Sequence, residues 1–122
     1  SEDEIRARYR DGELPAEELP AEVLAPVDNK RILIRMLTNL KHLYIAQDDV
    51  DRALACCDRS LALDSNSRTD LRDRGLLLIE CELFNAGIAD LTRYLALAPN
   101  DPWSGAVRER LAAAQRVMDT LN

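Results

Sequence analysis

The sequence predicts an all-α fold, a short solenoid of two helix-turn-helix repeats followed by a C-terminal capping helix, and three observations predict it. The stretch Leu61-Ala62-Leu63-Asp64-Ser65-Asn66 returns as Leu95-Ala96-Leu97-Ala98-Pro99-Asn100, an offset of 34 residues. The same offset pairs identical residues at Leu37/Leu71, Leu43/Leu77, Ile45/Ile79, Ala55/Ala89 and Arg59/Arg93, so the duplication spans both helices of a unit rather than one hexapeptide. The composition, 47% hydrophobic but only 4% aromatic, requires a core of Leu, Ala, Ile and Val, residues that suit closely packed helices.

Each element follows from local signals. Ile5 to Tyr9 suits a short helix, but Gly12, Pro15, Pro20 and Pro26 prevent a long one before residue 28, because each proline removes a donor and restricts its predecessor. Residues 1–27 therefore read as an acidic linker. Its Leu14, Leu19, Val23 and Leu24 equip residues 13–27 to dock in short helical turns against the first hairpin, with acidic groups toward solvent or Lys30, Arg31 and Arg35. The helical domain is expected over 28–122, with repeats at about 34–67 and 68–101 and a capping helix over 102–121.

From Asp28 the apolar residues Ile32, Leu33, Met36, Leu37, Leu40, Leu43 and Tyr44 recur at spacings of three and four, an amphipathic helix capped by Asp28 or Asn29 and ending near Gln47. Asp48-Asp49 makes the turn, and Val50, Ala53, Leu54, Cys57, Leu61 and Leu63 carry the antiparallel partner. Ser67 or Thr69 caps a third helix through Leu71, Leu76 to Leu78 and Ile79, and a fourth runs from about Phe84 to Leu97. Asp101-Pro102 supplies a cap and a first-turn proline to a fifth helix, with Leu111, Ala114 and Val117 inward and Trp103 packed near its start.

A 34-residue helix-turn-helix unit is the period of the tetratricopeptide (TPR) repeat, so the fold expected is a TPR-like α-solenoid. In that register Leu37 and Leu71 take the place of the signature Trp. Leu40, Tyr44, Ala53, Cys57 and Ser60 fall on packing positions of the first unit, as do Gly75, Leu78, Gly87, Leu91 and Pro99 in the second. Three positions depart from the pattern. Arg74 stands where Leu is normal, Lys41 where Gly is usual, and Tyr94 where a small residue is usual. Arg74 should point into the helix stack, where an unpaired guanidinium is costly, so it is expected to be largely buried in a structural ion pair with Asp90 or Asp70.

Charge and cysteine content exclude several functions. The net charge is −6, but residues 1–30 hold nine acidic and four basic side chains, leaving 13 acidic against 12 basic in the rest. With no basic stripe to follow a phosphate backbone, nucleic acid is not an expected partner. Cys56, Cys57 and Cys81 show no C-x-x-C spacing, so reduced thiols and a cytoplasmic location are expected, without metal or other cofactor. No apolar run approaches the roughly 18 residues of a membrane span, and the start Ser-Glu-Asp-Glu is acidic where a signal peptide is basic. His42, the single histidine, invites comparison with Cys56 or Cys57 as a thiol-imidazole pair. Cys57 falls on a core position and His42 on the groove side, which favours a small core residue and a surface histidine.

The first helix of each unit lines the concave face of such a stack. That nominates Arg35, Thr38, Asn39 and His42 from one repeat and Thr69, Arg72, Asp73 and Leu76 from the next as a groove for a protein or peptide segment. The competing reading is an ordinary solvated helix face. A clamp for an acidic C-terminal peptide needs a denser Lys/Asn/Arg set, and Asp73 at the centre opposes one. Two repeats fall below the three or so usual for a stable stack, so the ends need covering, and exposed ends also allow copies of the chain to associate.

Two segments go beyond the generic repeat: Arg35-Met36-Leu37-Thr38-Asn39-Leu40-Lys41, and Arg72-Asp73-Arg74-Gly75-Leu76-Leu77-Leu78 followed by Ala89-Asp90-Leu91-Thr92-Arg93-Tyr94-Leu95. Over about residues 10–115 these resemble the C-terminal part of the bacterial transglutaminase-like/TPR proteins, the SirB-type invasion-gene regulators. The resemblance implies a helical module that follows a transglutaminase-like domain, and together with the missing initiator Met it implies a fragment of a longer protein. The thiol-type catalytic residues of that family would lie in the preceding domain, so no catalytic role passes to any residue here. The expected function is a non-enzymatic interaction or regulatory module that binds a protein segment or its own N-terminal domain. The alternative is an accessory part of the neighbouring enzyme's active site.

Overall fold

A computed structural model describes residues 26–121, and the elements in it are five helices: α1 (Pro26–Ala46), α2 (Val50–Leu63), α3 (Arg68–Glu80), α4 (Phe84–Leu97) and α5 (Ser104–Leu121). α1 packs on α2 and α3 on α4, each pair folding back through a short turn, while α2 meets α3 and α4 meets α5. This is the expected all-α, TPR-like stack. Of the linker expected over residues 1–27, with docking over 13–27, residues 1–25 lie outside the described residues, and Pro26 and Val27 belong to α1 instead.

Caps and turns account for the boundaries. α1 begins at Pro26, earlier than the expected start at Asp28, because a proline in the first helical turn sacrifices only an N–H that has no helical partner. The Asp49 carboxylate accepts from the backbone N–H of Arg52 and caps α2. Ser67, not Thr69, caps α3: its hydroxyl accepts from the Asp70 N–H and donates to the Asp70 carboxylate at 2.7 Å, a reciprocal capping pair. The α1–α2 and α3–α4 turns each contain one left-handed residue, Asp48 at φ 56° and Glu82 at φ 62°, separated by one repeat period.

α5 departs from expectation. Asp101-Pro102 forms a turn ahead of the helix, in which the Asp101 carboxylate accepts from the Trp103 N–H at 2.9 Å and the Ser104 hydroxyl donates to the Asp101 carbonyl at 2.7 Å. The helix starts only at Ser104. Its inward residues are Val107, Leu111 and Ala114, whereas Val117 is 41% exposed.

Two apolar clusters form the core, and they interlock. One gathers Leu37, Leu40, Tyr44, Ala53 and Cys56 from the first hairpin and takes Leu77 from α3. The other gathers Leu71, Ile79, Leu91, Tyr94, Val107 and Ala114 and takes Leu61 from α2. Each hairpin thus completes its core with a leucine from its neighbour, the physical reason a repeat does not stand alone. Within the second hairpin, Gly87 allows α4 to approach α3 closely, because a Cβ there would lie 2.9 Å from the Gly75 carbonyl oxygen and 2.6 Å from Ile79 Cγ1.

Candidate functional site

The 34-residue period aligns α1, α3 and α5 as successive first helices and sorts their side chains into three rows. Arg35, Thr69 and Trp103 share one register position; Thr38, Arg72 and Ala106 a second; His42, Leu76 and Arg110 a third. Arg35, His42, Thr69, Trp103 and Arg110 are exposed, and Thr38, Arg72 and Leu76 are half-buried. Thr38 turns its hydroxyl back to the Ile34 carbonyl at 2.9 Å, which leaves its methyl as its contribution to the face. Asn39 is exposed in the neighbouring register position, whose counterpart in α3 is Asp73.

Asp73 sits in an ion network that sequence reasoning missed. Lys41, 1% exposed, reaches from α1 to α3 and places Nζ 2.9 Å from Asp70 Oδ1 and 2.8 Å from Asp73 Oδ2. Burial alone would depress the Lys41 pKa, but bonds to Asp73 and Asp70 outweigh it and hold the ammonium above its ordinary value. The other Asp73 oxygen takes the Arg72 Nε at 3.1 Å. The carboxylate expected at the centre of the groove is therefore neutralised from two sides, which removes the opposition it was expected to offer to acidic ligands. The clue in the sequence was Lys41 itself, a charged residue at a close-packing position one period from Gly75, with Asp70 and Asp73 one turn apart on the next first helix.

Arg72 then carries the network toward α5. Its guanidinium lies over the Trp103 ring, 4.8 Å from the centroid, with Trp103 54% exposed. The Tyr94 side chain is fully buried, and its hydroxyl has no hydrogen-bond partner among the described residues. Burial, then the nearby Asp101 carboxylate, push the phenol pKa up; Asp101 lies close without forming a hydrogen bond to it. Asp101 itself is held below the usual carboxylate range, first by the Trp103 N–H. Trp103, expected to pack near the start of α5, stands there against Arg72 but remains 54% exposed.

The expected Arg74 pair forms with Asp90 and not with Asp70, which is committed to Lys41. Arg74 Nε and a terminal nitrogen grip the two Asp90 oxygens at 2.7 and 2.9 Å, and a third bond of 3.0 Å reaches Asp58 on α2. Its side chain is 27% exposed, so it is partly rather than largely buried. The network ties α2, α3 and α4 together on the side away from the three rows, a structural role. No side-chain bond among the described residues joins Arg35, Asn39, His42 or Thr69 to Arg72 or Asp73.

Cys56 and Cys57 are buried, and burial pushes both thiols up, Cys57 to about 12. His42 is exposed. Among the described residues no group of three His, Cys, Asp or Glu is placed to hold a metal, and no helix is long and apolar enough to cross a membrane.

Comparison with known proteins agrees with the repeat fold. The tetratricopeptide repeat profile matches residues 40–112, and the chain belongs to that family. A UPF0162 protein of Xylella fastidiosa strain Temecula1 is 40% identical over 101 residues, 80% of this chain and 36% of the relative. Protein SirB1 of Salmonella typhimurium is 27% identical over 97 residues, and the UPF0162 protein YchA of Escherichia coli K12 is 26% identical over the same length, with the same shares covered. The chain thus spans 36% of the length of these relatives.

Proposed function

We propose that this tetratricopeptide-repeat chain is a non-enzymatic protein-interaction module that binds a protein segment through the face formed by α1, α3 and α5. In the longer polypeptide it is the regulatory C-terminal part and docks on a preceding transglutaminase-like domain. The observation that carries the reading is the exposed Trp103 beneath Arg72, in register with Arg35 and Thr69 on a face braced by the buried Lys41–Asp70–Asp73 network. Aromatic and guanidinium groups held in place on an otherwise polar face are what protein interfaces use as anchors. The buried, neutral Cys56 and Cys57 thiols support a role without covalent chemistry. A cytoplasmic setting fits three free cysteines.

The test titrates residues 1–122 against the separately expressed remainder of the full-length polypeptide by calorimetry. The expected result is saturable binding that Arg72→Glu weakens by about tenfold or more, as for an anchor worth at least 1.4 kcal/mol. Absence of heat together with an unchanged melting temperature of the mixture would remove the docking claim. Catalysis by this chain alone would overturn the non-enzymatic assignment.

A further inference from the structure

We propose that the Arg72–Trp103 pair anchors an internal acidic segment of a partner protein, with side-chain carboxylates on the face's arginines and an apolar residue against the exposed indole. The inference rests on the reading of this face as a binding surface and adds the chemistry of its occupant.

Charge placement is the first argument. The three rows contain Arg35, Arg72 and Arg110 and no carboxylate. Of the acids nearby, Asp70 and Asp73 are paired with the buried Lys41 nitrogen at 2.9 and 2.8 Å, and Asp101 accepts from the Trp103 N–H at 2.9 Å. A ligand approaching the face therefore meets guanidinium groups whose own acidic neighbours are already engaged. The net charge of −6 does not oppose this, because nine of the 22 acids lie in residues 1–30 and the remainder of the chain is close to neutral. At physiological salt, charges beyond about 8 Å are largely screened, so the arginines in contact decide.

Preorganisation is the second. Arg72 is held at Nε by Asp73 at 3.1 Å and stacked on Trp103 at 4.8 Å, so much of the rotamer entropy a free arginine loses on binding is lost before the ligand arrives. Trp103 is the single tryptophan of the chain, and its 54% exposure leaves a broad apolar surface beside a cation. A segment with acids alone would leave the indole uncovered, and an apolar segment alone would offer no acceptor to the exposed guanidinium groups of Arg35 and Arg110 or to the free edge of Arg72. An acidic segment interrupted by a leucine or phenylalanine satisfies both.

Because Trp103 is the only tryptophan, its fluorescence reports on this site in the full chain. The probes are three peptides, acetylated and C-terminally amidated to remove terminal charges, that share the same Leu and Phe positions and carry Glu, Gln or Lys elsewhere. The Glu peptide is expected to shift Trp103 emission and to bind at least about tenfold more tightly than the Gln peptide, with the Lys peptide weakest. Raising NaCl from about 50 to 300 mM should weaken the Glu peptide selectively. Arg72→Gln should reduce its affinity by about tenfold, read by calorimetry, whereas Arg116→Gln, exposed and outside the three rows, should leave it unchanged. If Arg72→Gln lowers the melting temperature, Arg35→Gln and Arg110→Gln on the exposed positions give the same reading. Equal affinity for the Glu and Gln peptides, indifference to all three arginine variants, or no Glu-peptide binding at about 1 mM overturns the proposal. Binding of the Glu peptide without binding of the rest of the polypeptide would retain this chemistry and discard the docking domain; the reverse would retain the domain and discard the acidic segment.

Discussion

The two repeats solve the same packing problem with opposite residues. Position 41 of the first unit and position 75 of the second are one period apart, and they hold Lys41 and Gly75. Across from them on the second helices stand Cys57 and Leu91, again one period apart. At Gly75 the large Leu91 leaves no room, since a Cβ would lie 2.6 Å from its Cδ2. At Lys41 the smaller Cys57 opens space for the lysine stem, which lies close enough for its charge to act on the thiol. The chemistry of the contact is exchanged between the repeats, and each repeat sends one cation to its neighbour: Lys41 is buried against Asp70 and Asp73, whereas the more exposed Arg74 reaches Asp58.

The strongest way to break this comparison is to remove the lysine. Lys41→Met keeps the stem and strands Asp70 and Asp73, so it should cost about 3–5 kcal/mol in chemical denaturation. Adding Asp70→Asn and Asp73→Asn should recover a large part of the loss. If Lys41→Met alone is neutral, the network is not what braces the face. The more exposed Arg74 network gives the contrast: Arg74→Ala should cost only about 1–2 kcal/mol, because solvent at a guanidinium 27% exposed weakens the pairing with Asp90.

Glycine substitutions test the second repeat in the same way. Gly87→Ala drives a Cβ against the Gly75 carbonyl and Ile79, neither of which can retreat without moving α3, and should cost about 2–3 kcal/mol. Gly75→Ala meets chiefly the Leu91 side chain, which can change rotamer, so about 1–2 kcal/mol is expected. Gly75→Ala combined with Leu91→Val should be milder than Gly75→Ala alone if volume across the interface is what matters. Thermal melts of the three variants decide it.

The sequence made the helices legible because periodic apolar residues and the 34-residue duplication record local geometry directly. The Phe84 to Leu97 helix followed from such relations, and they narrowed the α3 cap to Ser67 or Thr69 and the partner of Arg74 to Asp90 or Asp70, of which the structure holds Ser67 and Asp90. The buried network did not, because Lys41, Asp70 and Asp73 are joined through the contact between first helices, and a lysine on a helix reads as surface by default. Trp103 was legible in position and not in environment. Its register with Arg35 and Thr69 is visible in the numbering, but its stacking under Arg72 depends on the turn that delays α5 to Ser104.

The buried Cys57 thiol offers a subtler contrast through pH. Cys57 has its pKa raised by burial from 9.0 to about 12, so the folded chain keeps a proton that the unfolded chain loses above pH 9. The stabilisation from this group is fully present below pH 9 and falls as pH rises toward 12, by about 1.4 kcal/mol per unit. Lys41, raised by its carboxylates, acts in the same direction above its ordinary pKa of 10.5. The melting temperature should therefore fall between pH 9 and 11, and Cys57→Ala should flatten the drop by about 2 kcal/mol at pH 10.5 while leaving the first-repeat ion pairs in place. An identical slope in both proteins would mean that the thiol ionises in the folded state.

The smallest expected difference lies in the two turns. Asp48 and Glu82 occupy equivalent left-handed positions, at φ 56° and 62°. Asp tolerates that region because its short side chain can bond locally, whereas Glu carries the Cβ cost without that compensation. Replacing either with glycine removes the steric cost but adds backbone entropy to the unfolded chain, and the two terms differ by less than about 1 kcal/mol. Glu82→Gly should thus stabilise by about 0.5 kcal/mol and Asp48→Gly by close to nothing, measured as shifts in denaturant midpoint at constant slope. A larger gain at Asp48 than at Glu82 would show that the first turn carries the greater strain and would reverse the order assigned to the two repeats.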